Sequence, residues 1–496
     1  FLDDSITQCM ISDNDPTRVF VRIQDGSVME LTSSYFYYWL NHNSFNKLDE
    51  IFAEEVLKAS IQLLYAKCLM NKSIKRVKTF VRIAQVEDAI FYDLLDSKRN
   101  IVRVTPDNVE ISPLKPTDPI FEHSDILVTQ VLPDMKKKGL DEFIDLFNLE
   151  EEEKFLFKIH VVGMFLQGIP VPIMDLFGHH GKGKSTASGS VKRLVDPMSN
   201  QTQDNVGKLP TKAEDFIIQC STRYLNGYDN ISHITPSQSD DFCRMVTGSA
   251  FEKRKLYFNK ELIREFLRVK FVINGIGINI NRGDFLERSI NYTLNYISKE
   301  DRITEKEFEG KLEKTLPSAL GEIFDILSHS MSIYKSIQNS IKHLPRMADF
   351  ALWGESISRV LGNRDGVFLE KYISFMENTM QKAGENHAFV KYIEYLMNEP
   401  TPQDNFNSPL AQFYKKMKLW VEGEGSYDLK SKYSNFPKSS QQLRPTLERV
   451  DGFLRELGYI VTISDRNFSR NLGEDRGAVM ITIIRVTKEV LKNGQK

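Results

Sequence analysis

The stretch Gly178-His179-His180-Gly181-Lys182-Gly183-Lys184-Ser185-Thr186 decides the interpretation of this sequence, because it matches the pattern G-x-x-x-x-G-K-[ST] at every fixed position. An apolar, strand-like run from Val171 to Phe177 precedes it, and a helix-compatible stretch from Thr186 to Leu194 follows it. A strand, a glycine-rich loop and a helix in this order are the context in which the pattern forms a P-loop. We therefore predict that this loop binds the phosphates of a nucleotide.

Residues of the loop have different expected roles. The glycines let backbone N–H groups surround the phosphates, and the start of the following helix adds partial positive charge. Lys184 would reach the β- and γ-phosphates, and Ser185 would be a ligand of Mg²⁺. With ATP and Mg²⁺ as the expected ligands, the predicted nucleotide-binding set is Gly178, Gly181, Lys182, Gly183, Lys184, Ser185 and Thr186.

A second apolar run supplies a candidate carboxylate. The run from Tyr224 to Asn230 is interpreted as a degraded Walker B strand that ends in Asp229, 45 residues after Lys184. Asp229 would hold Mg²⁺ through water. The next position is usually Glu or Asp in ring-forming ATPases but is Asn230 here, and an amide orients a water molecule without taking its proton. The general base is therefore not identified, and a turn aspartate at a strand end is the alternative for Asp229.

A third apolar run, Val269 to Gly275, carries Asn274 near its end, 45 residues after Asp229. An asparagine there suits a sensor that touches the γ-phosphate or the attacking water, although Asn before Gly is also common in turns. Arg288 follows 14 residues later and is the candidate arginine finger, which would reach a neighbouring subunit's site and stabilise transition-state charge. Arg282 competes for this role, and a plain surface arginine is the alternative.

The run from Phe251 to Glu261 predicts a β-hairpin with a basic arm and a tip near Asn259. Basic residues are interleaved there with Tyr257 and Phe258, which suits a nucleic-acid backbone and its bases. A solvated strand face is the alternative. The candidate nucleic-acid contacts are Lys253, Arg254, Lys255 and Lys260.

Composition limits the class of protein. The chain has 496 residues, with 65 Lys and Arg against 67 Asp and Glu, so its net charge of −2 excludes a uniformly basic nucleic-acid coat but not a local basic groove. Four separated cysteines without a CxxC pair argue against a zinc ribbon or a disulfide framework and fit a reducing cytosol. The sequence shows neither a membrane-length apolar run nor a signal peptide, so we expect no membrane partner and a cytoplasmic location, in a prokaryote or a virus-infected host. Because residue 1 is Phe, we also expect a longer parent protein.

Changes in pattern divide the chain into five predicted segments. Short apolar strands alternate with helices from 170 to about 297, which predicts a parallel sheet with flanking helices. Nearer the start, Asp25-Gly26 predicts a hairpin turn, and Leu48 to Met70 predicts one helix with Ile51 and Leu57 on its apolar stripe. The segments are an α+β N-terminal domain (1–115), a linker and helical segment (116–170), the α/β P-loop core (171–345), a helical region (346–404) and a winged-helix-like domain (405–496).

The last segment has the pattern of a winged helix. Two strands, at 459–464 and 479–486, would follow a helix that Gly458 ends, and the polar connection between them would form the wing. Winged helices bind DNA or contact proteins, so both kinds of partner stay open for this domain. The apolar stripe that predicts the helix consists of Leu443, Leu447, Val450, Leu454 and Leu457.

In this order and at this spacing, the P-loop, Asp229, the basic hairpin, Asn274 and Arg288 resemble the ATPase core of superfamily 3 and D5-type helicases. These are hexameric AAA+ helicases of viruses, phages, plasmids and chromosomal mobile elements, often fused to a primase or primase-polymerase. Two later segments, Arg346–Gly354 and Phe436–Ser440, resemble C-terminal parts of such replication proteins. The resemblance covers residues from about 135 to 496, and the departure from the family pattern is Asn230.

The resemblance implies a homo-hexameric DNA helicase with an AAA+ core that hydrolyses ATP at subunit interfaces and moves DNA through a central channel. Its substrate would be single-stranded or forked DNA, its further partner a primase or primase-polymerase, and its role the replication of a phage or mobile genetic element. The hairpin cations would line the channel. Two other functions stay open: a sequence-specific initiator that melts an origin, and an ATP-binding, weakly hydrolysing scaffold or switch, which Asn230 favours.

Overall fold

A computed structural model describes residues 5–13, 15–24, 26–122, 126–178, 182–199, 206–254, 262–275, 283–298, 300–385, 388–399, 401–423, 436–437, 439–464 and 478–486. Within these ranges the chain is a mixed α/β protein. It divides into two compact units. The first holds Phe1–Ile231, Arg244–Gly277 and Tyr292–Leu369, and the second holds Ser232–Cys243, Ile278–Asn291 and Glu370–Lys496. The five predicted segments stay a prediction.

The first unit begins with a four-stranded sheet and two helices. Its elements are β1 (Ile6–Ser12), β2 (Val19–Ile23), β3 (Val28–Glu30), α1 (Ser34–Leu48), α2 (Glu54–Met70) and β4 (Lys75–Val77). β2 pairs antiparallel with β3 across Gly26, whose φ of +86° suits glycine, and this pairing confirms the predicted hairpin. Phe36 and Leu40 of α1 and Leu57 of α2 pack in one apolar cluster with Val19 and Val21 of β2.

The single helix predicted over Leu48–Met70 is wrong in its first part. α1 ends at Leu48, Asp49 adopts a left-handed backbone with a φ of +54°, and α2 begins at Glu54. Ile51 is 83% exposed, so the predicted apolar stripe is not buried at this residue. Helix α1 has no counterpart in the sequence prediction, because tyrosines, asparagines and serines weaken its apolar periodicity.

A second, antiparallel sheet follows in the first unit. Its strands pair in chain order as a meander, and a short parallel pair of strands packs its phenylalanines, Phe80 and Phe121, in the same apolar cluster as Phe91. The short pair is β5 (Thr79–Phe80) with β10 (Ile120–Phe121), and the meander is β6 (Ile83–Val86), β7 (Ala89–Asp93), β8 (Asn100–Val104) and β9 (Val109–Pro113).

The central sheet carries the predicted P-loop sequence. Its order is β12-β15-β11-β16, and its first three strands run parallel, as the alternation of strands and helices predicts. These strands are almost fully buried, which is typical of parallel sheets with both faces covered. The elements of this region are α3 (Leu140–Asp145), α4 (Glu151–Gly163), β11 (Ile173–Phe177), α5 (Lys184–Val195), α6 (Ala213–Thr222), β12 (Leu225–Tyr228), α7 (Pro236–Thr247), β13 (Ser249–Arg254), β14 (Leu262–Leu267), β15 (Lys270–Gly275), α8 (Gly283–Leu286) and β16 (Ser289–Thr293).

Two helices, α9 (Glu305–Ser340) and α10 (Ala348–Val360), lie beyond this sheet in the chain. They pack on each other, and the rings of Tyr334 and Trp353 stack with their centroids 4.4 Å apart. A side chain at Gly354 would meet the ring of Phe368 at 2.3 Å, so α10 needs a glycine at this close approach. No helix within the described ranges is both long and apolar enough to cross a lipid bilayer.

The second unit contains helices and a three-stranded antiparallel sheet. After α11 (Val367–Glu385) come α12 (Ala388–Asn398), β17 (Asn405–Pro409), α13 (Leu410–Gly423), α14 (Leu443–Glu456), β18 (Tyr459–Ile463) and β19 (Met480–Arg485). The two predicted strands are β18 and β19, and β17, which sequence analysis missed, pairs with β19. The predicted stripe of α14 is buried at Leu443, Val450 and Leu454. The predicted wing, residues 465–477, lies outside the described residues.

Candidate nucleotide-binding site

Three of the predicted site residues meet at one edge of the parallel sheet. Phe177 at the end of β11 is in register with Gly275, and Tyr228 at the end of β12 is in register with Ile273. Gly178, Asp229 and Asn274 therefore lie at the carboxyl ends of three neighbouring parallel strands. This edge is where open α/β sheets bind their ligands.

The lysine of the P-loop is bonded to the start of the loop. Lys184 Nζ donates a hydrogen bond of 2.8 Å to the Gly178 carbonyl oxygen. Burial lowers the pKa of Lys184 below its ordinary value, Asp229 opposes this shift, and Lys182 adds to it. The φ angles of Gly178 and Gly183 are +154° and +74°, a region that L side chains avoid, so the backbone itself requires glycine at these two positions.

The remaining P-loop residues frame this arrangement. Lys182 and Thr186 are half-buried, and Thr186 belongs to the first turn of α5. Gly183 is the N-cap of α5, so the positive end of the helix dipole begins at the loop. Gly181 lies outside the described residues, together with the two histidines before it.

Ser185 and Asp229, the two predicted Mg²⁺ ligands, are adjacent. Ser185 Oγ donates a hydrogen bond of 2.7 Å to Asp229 Oδ1, and both residues are half-buried. The backbone N–H of Asp229 donates to the Gly207 carbonyl oxygen at 2.8 Å, which fixes the residue at the end of β12. A hydroxyl and a carboxylate are the hard oxygen donors that Mg²⁺ prefers, so the chemistry of this pair fits the metal.

Asn230 and Asn274 are placed differently with respect to solvent. Asn230 is exposed and has a left-handed backbone with a φ of +53°. Asn274 is 1% exposed, and its amide bonds to two neighbours: Oδ1 accepts from the Asn230 N–H at 3.0 Å, and Nδ2 donates to Ser188 Oγ at 2.7 Å. In this structure the exposed amide at the strand ends is therefore Asn230.

The basic hairpin has its strands where the sequence predicts them. β13 and β14 pair antiparallel, with Lys253 opposite Ile263 and Arg254 opposite Leu262. At the base of the hairpin, Phe251 is buried, and the guanidinium carbon of Arg244 lies 4.5 Å from its ring centroid. Lys255 and Lys260 lie outside the described residues, so the predicted tip is not placed.

Arg288 follows the short helix α8 in the second compact unit. Its Nη1 donates a hydrogen bond of 2.6 Å to the Asp284 carbonyl oxygen and lies 3.4 Å from Asp284 Oδ1. The guanidinium is thus held against the preceding helix α8 within one chain, and the predicted finger role requires a second copy. Arg282, the competing candidate, lies outside the described residues.

The far end of α5 is anchored by a buried charge cluster that sequence analysis missed. The Asp196 carboxylate accepts Arg82 Nε at 3.2 Å and Lys192 Nζ at 2.7 Å, and all three residues are at most 1% exposed. Burial by itself would raise the pKa of Asp196, but Lys192 and Arg82 lower it. Burial also lowers the pKa of Lys192 to about 8, although Asp196 opposes the shift. The backbone N–H groups of Tyr224 and Leu225 donate to the same carboxylate, so the cluster connects α5 to the strand that leads to Asp229.

The segment between residues 79 and 131 completes this anchor. Arg82 also donates to the carbonyl oxygens of Asp93, Val128 and Pro197. Gln130 Nε2 donates to the carbonyl oxygens of Arg193 and Leu194, which are among the last of α5 and have no partner inside the helix. The second antiparallel sheet and the segment with Val128 and Gln130 therefore hold helix α5 from its C-terminal end.

One signal in the sequence points to these missed residues. Helix α5 has the sequence KSTASGSVKRLV, which is rich in small and polar residues, yet nine of its twelve residues are buried, including Ser188 and Lys192. A buried helix of this composition must have its polar side chains paired inside the protein. The identity of the partners, Arg82 and Asn274 above all, is not readable from the sequence, because they lie far away along the chain.

Comparisons with known proteins bear on the central region. The family model "Actinomycete integrative conjugative element replication protein" matches residues 140–364, a little under half of the chain, and this range includes the P-loop, Asp229, Asn274 and Arg288. No curated protein matches the chain. An apo structure of the NrS-1 C-terminal region aligns over 97% of this chain and 96% of that one, with 10% sequence identity and a TM-score of 0.36. That TM-score is too low to establish a shared fold. The central part of the chain is therefore similar to replication proteins of actinomycete integrative conjugative elements.

Proposed function

We propose that this chain is an ATP-driven DNA helicase that serves the replication of a mobile genetic element or phage. The observation that carries the proposal is the convergence of Lys184, Ser185 and Asp229 at one edge of the parallel sheet, with Ser185 and Asp229 at hydrogen-bond distance. This is the set of groups that a P-loop ATPase uses for phosphate and Mg²⁺. The similarity of residues 140–364 to mobile-element replication proteins supports the role in replication.

Within this proposal the core is of the AAA+ type, and each residue has a separate task. The phosphates of ATP bind over Gly183, at the N-terminus of α5. Lys184 exchanges the Gly178 carbonyl for phosphate oxygens, and the anion favours its charged form, which opposes the lowering of its pKa by burial. Ser185, and Asp229 through water, would hold Mg²⁺, which would neutralise phosphate charge. Asn230, exposed beside Asp229, orients the attacking water.

DNA and a second subunit complete the proposed motor. A homo-hexamer would place Arg288 of one subunit at the nucleotide of the next, where its charge stabilises the transition state. The hairpin of β13 and β14 carries Lys253, Arg254, Lys255 and Lys260 towards single-stranded or forked DNA in the channel. The domain of α14, β18 and β19 would be a winged helix that contacts DNA or protein, and a primase or primase-polymerase is the expected further partner.

One observation favours a second function. Asn230 occupies the exposed position next to Asp229, and an amide takes no proton from water. A chain without a general base would bind ATP tightly and hydrolyse it weakly, acting as a nucleotide-dependent scaffold or switch.

The deciding experiment is ATP hydrolysis by the purified chain, with and without single-stranded DNA. We expect turnover that DNA stimulates, and we expect Lys184→Ala to abolish it because the γ-phosphate loses its charge partner. The matched control is Lys306→Ala, which removes an exposed lysine from the start of α9.

Each other result has a clear meaning. Turnover that survives in Lys184→Ala would place the active site elsewhere and refute the proposal. Tight ATP binding without turnover in either condition would favour the scaffold or switch. Turnover that ignores DNA, together with no unwinding of a forked duplex, would refute the helicase and leave an ATPase of another kind.

A further inference from the structure

Ser188 connects the P-loop helix to the end of β15. It lies one turn after Lys184 on α5 and is fully buried. Its Oγ donates to the carbonyl oxygens of Lys184 and Ser185, each at 3.0 Å, and accepts from Asn274 Nδ2 at 2.7 Å. A hydroxyl has one proton and two lone pairs, so Ser188 satisfies the helix and the asparagine at the same time.

Two contacts fix the orientation of the Asn274 amide. Asn274 lies between two groups, and one of them, the N–H of Asn230, can only donate. The atom that faces it must be Oδ1, so Nδ2 points towards Ser188, in agreement with the distances of 3.0 and 2.7 Å. The single proton of Ser188 Oγ points towards the carbonyl oxygens of Lys184 and Ser185, so a lone pair faces Nδ2 and supports the same orientation. Without Ser188, Nδ2 would lose this acceptor, and the orientation would depend on the Asn230 N–H.

Asn274 in turn holds the turn after β12. Its side-chain oxygen accepts from Asn230 N–H, and its backbone oxygen accepts from Ile231 N–H at 2.9 Å. Asn230 has a left-handed backbone, which for residues other than glycine has a higher free energy than the right-handed conformation. The two bonds to Asn274 stabilise it, and they hold the backbone from which the exposed Asn230 side chain extends, next to Asp229.

We infer that Ser188 is a positioning residue, which orients Asn274 so that Asn274 fixes Asn230 at the nucleotide. This inference rests on the proposed function, and it gives Asn274 a different task from the predicted contact with the γ-phosphate. Asn230 would be the group that meets the attacking water. Ser188 and Asn274 would act on hydrolysis through it, without touching ATP.

A second serine of α5 provides the matched control. Ser190 is also buried, 3% exposed, and its Oγ donates to the Thr186 carbonyl oxygen at 2.7 Å. No asparagine bonds to Ser190 within the described residues. Replacing either serine by alanine removes the same atom from the same helix, and only the Ser188 variant breaks the connection to Asn230.

The experiment compares Ser188→Ala, Ser190→Ala, Asn274→Ala and the double variant Ser188→Ala/Asn274→Ala in steady-state ATP hydrolysis and in ATP binding at equilibrium. We expect Ser188→Ala to lower kcat about tenfold, the effect of one lost hydrogen bond on a barrier, and to leave the Kd for ATP within about twofold. Ser190→Ala should match the wild type. The double variant should be no slower than Asn274→Ala, because both residues act through one connection.

Two results would overturn the inference: equal losses in Ser188→Ala and Ser190→Ala, or losses of Ser188→Ala and Asn274→Ala that multiply in the double variant. If Ser188→Ala does not fold, Ser188→Cys keeps a similar volume with a weak acceptor, and it should show the same loss of kcat at unchanged Kd. A wild-type chain without any turnover refutes the proposed function, and this inference falls with it. An active wild type whose two serine variants behave alike refutes the inference alone.

Discussion

Replacing Asp196 by Asn tests whether the buried charge cluster stabilises the P-loop helix. Asparagine keeps the size of the side chain and one acceptor oxygen, but it removes the negative charge between Arg82 and Lys192. Both cations are at most 1% exposed, so water cannot replace the lost carboxylate. Breaking a buried pair by removing one partner costs about 3–5 kcal/mol, and we expect the free energy of unfolding of Asp196→Asn to fall by that amount at pH 7.

The dependence on pH identifies the cause. In the wild type the pKa of Lys192 is lowered to about 8, so at pH 7 this lysine is protonated in the folded and the unfolded chain. Without Asp196 the folded-state pKa should fall below 7, and the folded variant then binds one proton fewer than its unfolded state. From pH 7 to pH 8 the stability of the variant therefore rises by about 1.4 kcal/mol, while that of the wild type, whose Lys192 begins to lose its proton in this range, rises by about 0.4 kcal/mol. The difference between the two proteins should narrow by about 1 kcal/mol from pH 7 to pH 8.

The assay is urea unfolding followed by circular dichroism at both pH values. Asp145→Asn is the matched control, because Asp145 forms an ion pair of 2.9 Å with Lys154 on the surface, where such pairs contribute about 0–1 kcal/mol. A loss below about 1 kcal/mol for Asp196→Asn would refute the reasoning. A larger loss that does not change between pH 7 and pH 8 would show that packing, and not the unpaired lysine, is responsible.

Two further predictions concern hydrolysis and acid stability. Arg288→Ala should abolish ATP hydrolysis and leave nucleotide affinity nearly unchanged, since an arginine finger acts on the transition state. Mixing Arg288→Ala subunits with Lys184→Ala subunits should restore some turnover. If no turnover returns, Arg288 acts within its own chain. Burial lowers the pKa of His160 to about 3, although its Nε2 donates a hydrogen bond to the Pro172 carbonyl oxygen. The folded chain therefore keeps the imidazole neutral at pH values where the unfolded chain protonates it. The stability that His160 contributes is complete above pH 6.5 and is lost as the pH falls towards 3. Between pH 7 and pH 5 the wild type should lose about 2 kcal/mol more than His160→Gln in urea unfolding, and equal losses would contradict the burial argument.

The parallel sheet and the helix that begins after the glycine-rich loop could be predicted because their signals are local. Glycines with positive φ, an apolar strand before them and a helix after them are all contained in about 25 residues, and Gly183 and Lys184 lie where that pattern puts them. Apolar spacing also located α14, whose stripe is buried at Leu443, Val450 and Leu454. The proposed roles of Arg288 and the hairpin cations stay predictions.

Features that depend on distant partners could not be predicted. Lys192 and Asp196 are four residues apart, the spacing of an ordinary exposed helix pair, and only the fold brings Arg82 to them from 114 residues away. The orientation of Asn274 likewise depends on Ser188, 86 residues earlier in the chain. The prediction that a helix begins before Glu54 is wrong for a related reason. The spacing of apolar residues around Ile51 does not show whether another part of the protein packs on them.

The contacts of Arg82 and Gln130 with the C-terminal end of α5 also determine where this protein can be truncated. The family match begins at residue 140, and a fragment designed from it would keep Lys192 and Asp196 but lose Arg82, Tyr92 and Gln130. Such a fragment would leave the last carbonyls of α5 without their caps and open an apolar face where Tyr92 packs against Phe165 and Phe324. An expression fragment that keeps this anchor should therefore begin before Thr79, well upstream of residue 140, where the family match begins.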